Sequence, residues 1–308
     1  MVSMDYENPR IIKVIKKSAV LASLALRNRF SRQPVTGSAQ AVVSLTSYGP
    51  RLKDVWYTIE SIGRGQQRPA RLILWVDDPH FRAEDQPALR RLLARGLEVK
   101  LSPNYGPHTK YYPYVQESRG QELPLVTADD DVVYPRRWLK HLVEQAQKFP
   151  GEFLGYRAHQ FTLDPDGQLA PYTSWLSAPD GAPASPAVFL TGVGGVIYPL
   201  ALQQKLVDTA DEFMVGCPKA DDIWINLLAL RSGIKARKIP VFGMTYMSIP
   251  GSQRYALHAR NVSENQNDLQ LARCLQEGDL ALLRQVAPRL AEPGLPAAQA
   301  SGKEAKNA

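Results

Sequence analysis

From residue 40 onward, short apolar runs rich in β-branched residues alternate with segments of helical period. That alternation restricts the chain to a mostly parallel sheet with crossover helices. Strands are predicted at residues 41–46, 71–76, 97–101 and 123–127. A helix is expected from Leu52, with Val55, Ile59 and Ile62 on one face, and another carries Leu89, Leu92 and Leu93. Pro135 is placed to open a further helix in which Trp138, Leu139, Leu142, Val143 and Ala146 recur at the right spacing. The expected fold class is α/β, Rossmann-like, with helices flanking the central sheet.

The second half reads less regularly. It offers a short strand at 153–158, a tight turn around Pro165-Asp166-Gly167, and a Gly/Pro/Ser/Ala-rich stretch at 177–186 that reads as a mobile loop. An apolar run at 187–190, a glycine cluster, a helix at 223–230 and a strand at 234–241 follow. One amphipathic helix is expected at 269–286, within a segment 266–291, and a disordered tail at 292–308. The main domain is thus drawn at 39–265, preceded by a basic arm at 1–38.

Charge enters through that arm. The chain's 308 residues carry a net charge of +7. Arg10, Lys13, Lys16, Lys17, Arg27, Arg29 and Arg32 against Asp5 and Glu7 give the arm +5 of it. The body is nearly balanced, which argues against a nucleic-acid partner. The apolar run 18–26 is too short to span a bilayer. With its flanking cations it suits a helix lying on an anionic membrane surface, the alternative being a frayed, solvated leader. No secretory cleavage site follows it. Cys217 and Cys274 are too few for a disulfide framework and form no zinc-ligand spacing, so a reducing, cytoplasmic setting is expected, at the cytoplasmic face of the inner membrane if the arm docks there.

The sharpest motif is TADDDVVYP (127–135), where a strand ends and a helix is about to begin, the edge at which open α/β sheets bind ligands. In an extended segment Asp129 and Asp131 fall on one face, roughly 7 Å apart. They would repel by about 2 kcal/mol at an effective dielectric near 20, with Asp130 adding more. A divalent cation would relieve that conflict, and hard oxygen ligands select Mg²⁺ or Mn²⁺. The alternative is a solvated acidic turn capping the next helix. Asp221 and Asp222 open the helix at 223–230; its dipole accounts readily for one acid there and less well for two.

Six blocks in order, VVSLTSYGPRL (42–52), RLILWVDD (71–78), GPHTKYYPYV (106–115), TADDDVVYP (127–135), TGVGGVIYP (191–199) and ADDIWINLLALRSG (220–233), resemble nucleotide-sugar glycosyltransferases of the GT-A fold. The likeness is greatest to family-2-like bacterial enzymes of capsule and lipopolysaccharide synthesis, and covers about residues 40 to 265. It implies a GT-A domain with a less regular acceptor-side half. The implied activity is metal-dependent, inverting transfer of one sugar, of hexosyltransferase type, from a nucleotide-diphosphate sugar to a carbohydrate or lipid-linked oligosaccharide. Thr46, Tyr48, Arg51, Asp77 and Lys110 would contact the donor, with Asp129 and Asp130 beside it. Gly194 and Gly195 would let backbone approach the sugar. Asp131, Asp129 and His258 would hold Mn²⁺ or Mg²⁺. Asp222 would be the general base, with Asp221 orienting it, or the two reversed. Tyr172 and Trp175 would form a lid over the acceptor or belong to the core.

The chain departs from processive synthases, whose QxxRW signature it lacks, and from sugar-1-phosphate nucleotidyltransferases, whose glycine-rich first loop is replaced by LTSYGPRL. A nucleotidyltransferase and a non-catalytic carbohydrate-binding subunit are the alternative readings.

Overall fold

The computed structural model describes residues 9–120, 123–241, 243–250 and 265–290. His258 and the tail 292–308 lie outside them.

The first half follows the hydrophobic pattern closely. Strands β1 (Ala39–Thr46), β2 (Pro69–Val76) and β3 (Leu97–Leu101) alternate with helices α2 (Val55–Gly63) and α3 (Pro87–Leu93), numbered after an N-terminal helix α1 (Pro9–Phe30). Helix α4 (Tyr112–Ser118) leads into β4 (Leu125–Thr127), and a two-residue strand β5 (Val132–Val133) precedes α5 (Trp138–Lys148). Pro135 therefore stands three residues before α5 rather than at its first position.

β6 (Phe153–Gln160), β7 (Val188–Tyr198) and β8 (Ala236–Lys238) complete a seven-stranded sheet of order β3-β2-β1-β4-β7-β6-β8. Its pairings are parallel except for those of β7, which runs against both β4 and β6. The sheet is thus mostly parallel, with one reversed strand marking where the regular βα alternation ends. β5 pairs antiparallel with β9 (Met247–Ser248) in a separate ribbon. One face of the sheet packs on α2, α3 and α5 through residues such as Val43, Ile59, Leu89 and Leu142. The other packs on α4, α6 (Leu200–Asp208), α7 (Phe213–Gly216) and α8 (Asp221–Arg231).

Several expectations are corrected. The apolar run and the glycine cluster belong to one strand, β7. Arg157 pairs with Thr191 and Gly155 with Val196, so two steps on β6 face five on β7, and residues 192–195 bulge out of the ladder. The single C-terminal helix is two, Gln266–Cys274 and Glu277–Val286. They break where Gln276 and Asp279 form a reciprocal capping box. Leu271, Cys274 and Leu283 of these helices are buried in the core shared with Trp224, so they pack into the body. The stretch 177–186 is pinned rather than loose: Lys238 bonds the Ala178 carbonyl and pairs with Asp180, and Ser185 bridges to Ala236. Both cysteines are free and buried.

Within the arm, helix α1 is docked on the body rather than a frayed leader. Leu24 is fully buried, and Arg27 and Asn28 converge on Glu60 of α2. Glu60 is itself fully buried and also receives both terminal nitrogens of Arg95 at 2.8 and 3.0 Å. One carboxylate thus joins α1, α2 and the end of α3. Replacing Glu60 by Ala leaves two guanidiniums facing each other without a counter-charge. Loss of about 3–5 kcal/mol of stability is expected, read as a fall in the urea midpoint with an unchanged slope.

Candidate active site

A cleft of about 670 Å³ opens outside the carboxyl ends of β1, β2 and β4. Thr46, Tyr48, Arg51, Asp77, Lys110, Asp129 and Asp130, all singled out from sequence, line it. The sheet explains the convergence: parallel strands end together, so the segments following β1, β2, β3 and β4 meet at one edge.

At the β1 end, Thr46 donates its hydroxyl to the Trp75 carbonyl at 3.1 Å, fixing the strand terminus. A short 3₁₀ turn follows and aims Arg51 back at the acidic triplet. Its guanidinium contacts Asp131 at 2.6 Å and Asp130 at 3.1 Å, and lies 5.9 Å from the centre of the Tyr48 ring. Burial alone would disfavour the Arg51 charge, but Asp130 and Asp131 outweigh it and its pKa is raised. Ser47 donates to the other oxygen of Asp130 at 2.6 Å. At the β2 end, Asp77 accepts from the Asn104 amide at 2.7 Å, whereas Asp78 accepts the backbone N–H of His80 and serves a turn.

The triplet is therefore divided. Asp130 and Asp131 share Arg51, so both acids have a counter-charge within the protein, and Arg51 still lines the cleft. Asp129 belongs to a second group around Lys110. That ammonium is buried and lies 2.7 Å from Asp221. Burial opposes its charge, yet Asp221, then Asp129 and Asp222, hold its pKa above the ordinary lysine value. The price of the crowding falls on the acids. Burial pushes Asp129 up to about 6 and Asp222 up to about 7, with Lys110 pulling each the other way. Asp130 is likewise pushed up to about 6 by burial, against Arg51.

Asp221 and Asp222 occupy the first turn of α8. Asp221 is buried against Lys110, while Asp222 is half-buried and accepts the Gly192 N–H at 2.9 Å. A Cβ at Gly192 would come within 3.0 Å of the Lys110 Nζ and 3.3 Å of Asp222. That glycine, rather than Gly194 or Gly195, makes room at the site. Gly194 and Gly195 have φ of +84° and +97°, and Trp138 lies against them: its indole donates to the Gly194 carbonyl at 2.6 Å. A Cβ at Gly195 would sit 2.8 Å from that ring. Their close backbone approach is to a tryptophan of α5, and neither lines the cleft.

Trp175 is a core residue, donating to the Ala170 carbonyl. Tyr172 stands on the Asp222 side; burial, and next the charge of Asp222, raise its phenol to about 12. Among the described residues no three His, Cys, Asp or Glu side chains converge into a ready metal-ion cluster. Asn104, Lys219 and Gln266 also line the cleft and were not foreseen. Asn104 follows β3, so the carboxyl-end rule pointed to it. Gln266 belongs to a helix that nothing in the sequence ties to this edge.

No family model matches the chain, and no curated protein matches it.

The raised carboxyls carry a stability consequence. A carboxyl whose folded pKa lies above its unfolded value favours folding fully at low pH, and that contribution is lost as pH rises through the folded pKa. For Asp222 the loss runs from about 4 to about 7. Asp222→Asn keeps an acceptor for Gly192 and removes the penalty. Its melting temperature should exceed that of the unaltered protein at pH 8 and match it near pH 4, as measured by calorimetry.

Proposed function

We propose that the cleft binds a nucleotide-diphosphate sugar and that the protein transfers its sugar to a hydroxyl of a carbohydrate or lipid-linked oligosaccharide, with inversion. The reading rests on one observation above the rest: Tyr48, Arg51, Asp77, Asn104, Lys110, Asp129 and Asp130 line one cleft at the carboxyl ends of the strands, and Asp222 is held beside Lys110 by the Gly192 N–H. The mostly parallel first half, the reversed β7 and the irregular second half fit a GT-A-like organisation.

In this reading the nucleoside lies along Tyr48, Asp77 and Asn104. The diphosphate lies toward the ends of β1 and β4. Asp222 accepts the proton of the acceptor hydroxyl as that oxygen bonds to the anomeric carbon, while the bond from that carbon to the diphosphate oxygen breaks and nucleoside diphosphate departs. A base near 7 is divided between its two forms at neutral pH, the condition under which a carboxylate combines availability with basicity. Asp221 fixes Lys110, and Lys110 restrains the charge of Asp222.

A divalent cation suits the donor set. Arg51 pairs with Asp130 and Asp131 and Lys110 with Asp221, while Asp129 and Asp222 gather beside Lys110, so carboxyl oxygens outnumber the paired cations where an anionic diphosphate would arrive. Asp129 and Asp131 offer hard oxygens, and Mg²⁺ or Mn²⁺ commonly takes one or two carboxylates plus substrate phosphates and water. When bound, such an ion would offset charge on the leaving diphosphate.

Two measurements test the reading. Nucleotide diphosphates with Mn²⁺ should raise the melting temperature, and Asp131→Ala should abolish that shift while Asp222→Asn retains it. A shift lost equally in both variants overturns the division of roles. Transfer or donor hydrolysis should climb with pH through about 7 and lose about 10²–10⁴-fold in Asp222→Asn. Release of pyrophosphate instead of nucleoside diphosphate would favour a nucleotidyltransferase.

A further inference from the structure

Helix α1 has two apolar faces, and the body covers one. Leu24 is fully buried, with Val20 and Leu21 packed beside it against Tyr57, Val133, Met247 and Ile249. At about 100° per residue, Ile15 and Leu26 project from the opposite side, roughly 180–200° around the helix from Leu24. They are 62% and 60% exposed, and Phe30, on the same side, is 72% exposed. Ala19 and Ala22 continue the stripe between them and are exposed as well. From Ile15 to Phe30 it runs about 22 Å.

The charge on this helix is of one sign. Its sequence holds Arg10, Lys13, Lys16, Lys17, Arg27 and Arg29 and no acid. Among the described residues of this set only Arg27 has an acidic partner, Glu60. At the C-terminal end Arg29 and Arg90 stand close enough to Arg91 to depress its pKa, after burial, which is the larger cause. A second copy of this chain seated on the stripe would bring cations against cations, since a two-fold contact places the same patch on both sides. An anionic lipid surface supplies what both features lack: an apolar layer for the stripe and negative charge for its flanks.

We infer that the outer face of α1 docks on an anionic phospholipid bilayer, the helix lying in the interfacial plane between lipid and body. The inference is independent of what the cleft binds, because no residue of the stripe reaches that edge.

The full chain is tested by co-sedimentation with vesicles of phosphatidylcholine containing about one-third phosphatidylglycerol, and with pure phosphatidylcholine. Binding is expected to the first and not the second, weakening as salt is raised. Ile15→Gln with Leu26→Gln removes apolar surface at constant charge and should lower partitioning about tenfold. Lys16→Gln with Arg29→Gln, both exposed, should lower it as well and flatten the salt dependence. Each variant must keep the melting temperature of the unaltered protein, which exposed positions allow; Ser23→Gln, exposed to the side of the stripe, is the control for substitution on the helix. The inference is overturned if the unaltered chain stays in the supernatant with anionic vesicles, or if the Ile15/Leu26 variant binds as well as it does. It is also overturned if sedimentation shows a dimer that Leu26→Gln dissociates.

Discussion

The Nζ of Lys110 lies 2.7 Å from Asp221, out of water, with Asp129 and Asp222 close enough to act on its charge. A buried ammonium must be paired or give up its proton, and a buried carboxylate faces the same demand. Each therefore fixes the other. Through this pair the end of β4, the opening of α8 and the bulge of β7 become one unit, since Asp129 comes from the first, Asp221 and Asp222 from the second, and Gly192 from the third. The two halves of the sheet differ in regularity, but they are electrostatically one at this edge. Removing the ammonium would leave three acids in mutual repulsion, so Lys110 holds the geometry as much as it could hold a ligand.

Arg51 plays a parallel part on the other side of the triplet. Because it spans Asp130 and Asp131, the strand end is stable without a ligand, and Ser47 satisfies the remaining Asp130 oxygen. Two side chains from one β1 turn thus preorganise acids that lie some 80 residues further on. Both acids therefore hold their orientation through one guanidinium, independently of anything bound in the cleft.

The sequence made the first half of the fold legible, for a definite reason. β1 to β3 are buried apolar runs bounded by polar turns, and α2, α3 and α5 show one-sided periodicity, so local pattern and tertiary demand agree. The cleft residues that follow those strands were legible for the same cause, because strand ends predict their position. β7 was not. Three glycines look like a turn, and only the tight fit of Gly195 on Trp138 shows why a strand should bulge there. Nor was the arm's docking visible, because its anchor, Glu60, sits in α2 as an ordinary helical acid until Arg27 and Arg95 are brought to it. Ion pairs across long separations leave no periodic trace. For that reason the partners of Arg51 and Lys110 had to be found in space.

The docking of α1 also sets an order of events during synthesis. The helix leaves the ribosome before Glu60, Arg91 and Arg95, which receive it, and at about 5–20 residues per second the interval lasts several seconds. Throughout that interval the Leu24 side of the helix lacks its native cover. Until those partners are made, Val20, Leu21 and Leu24 have no core to enter, and the ion pairs at Glu60 close a seam that stood open until then.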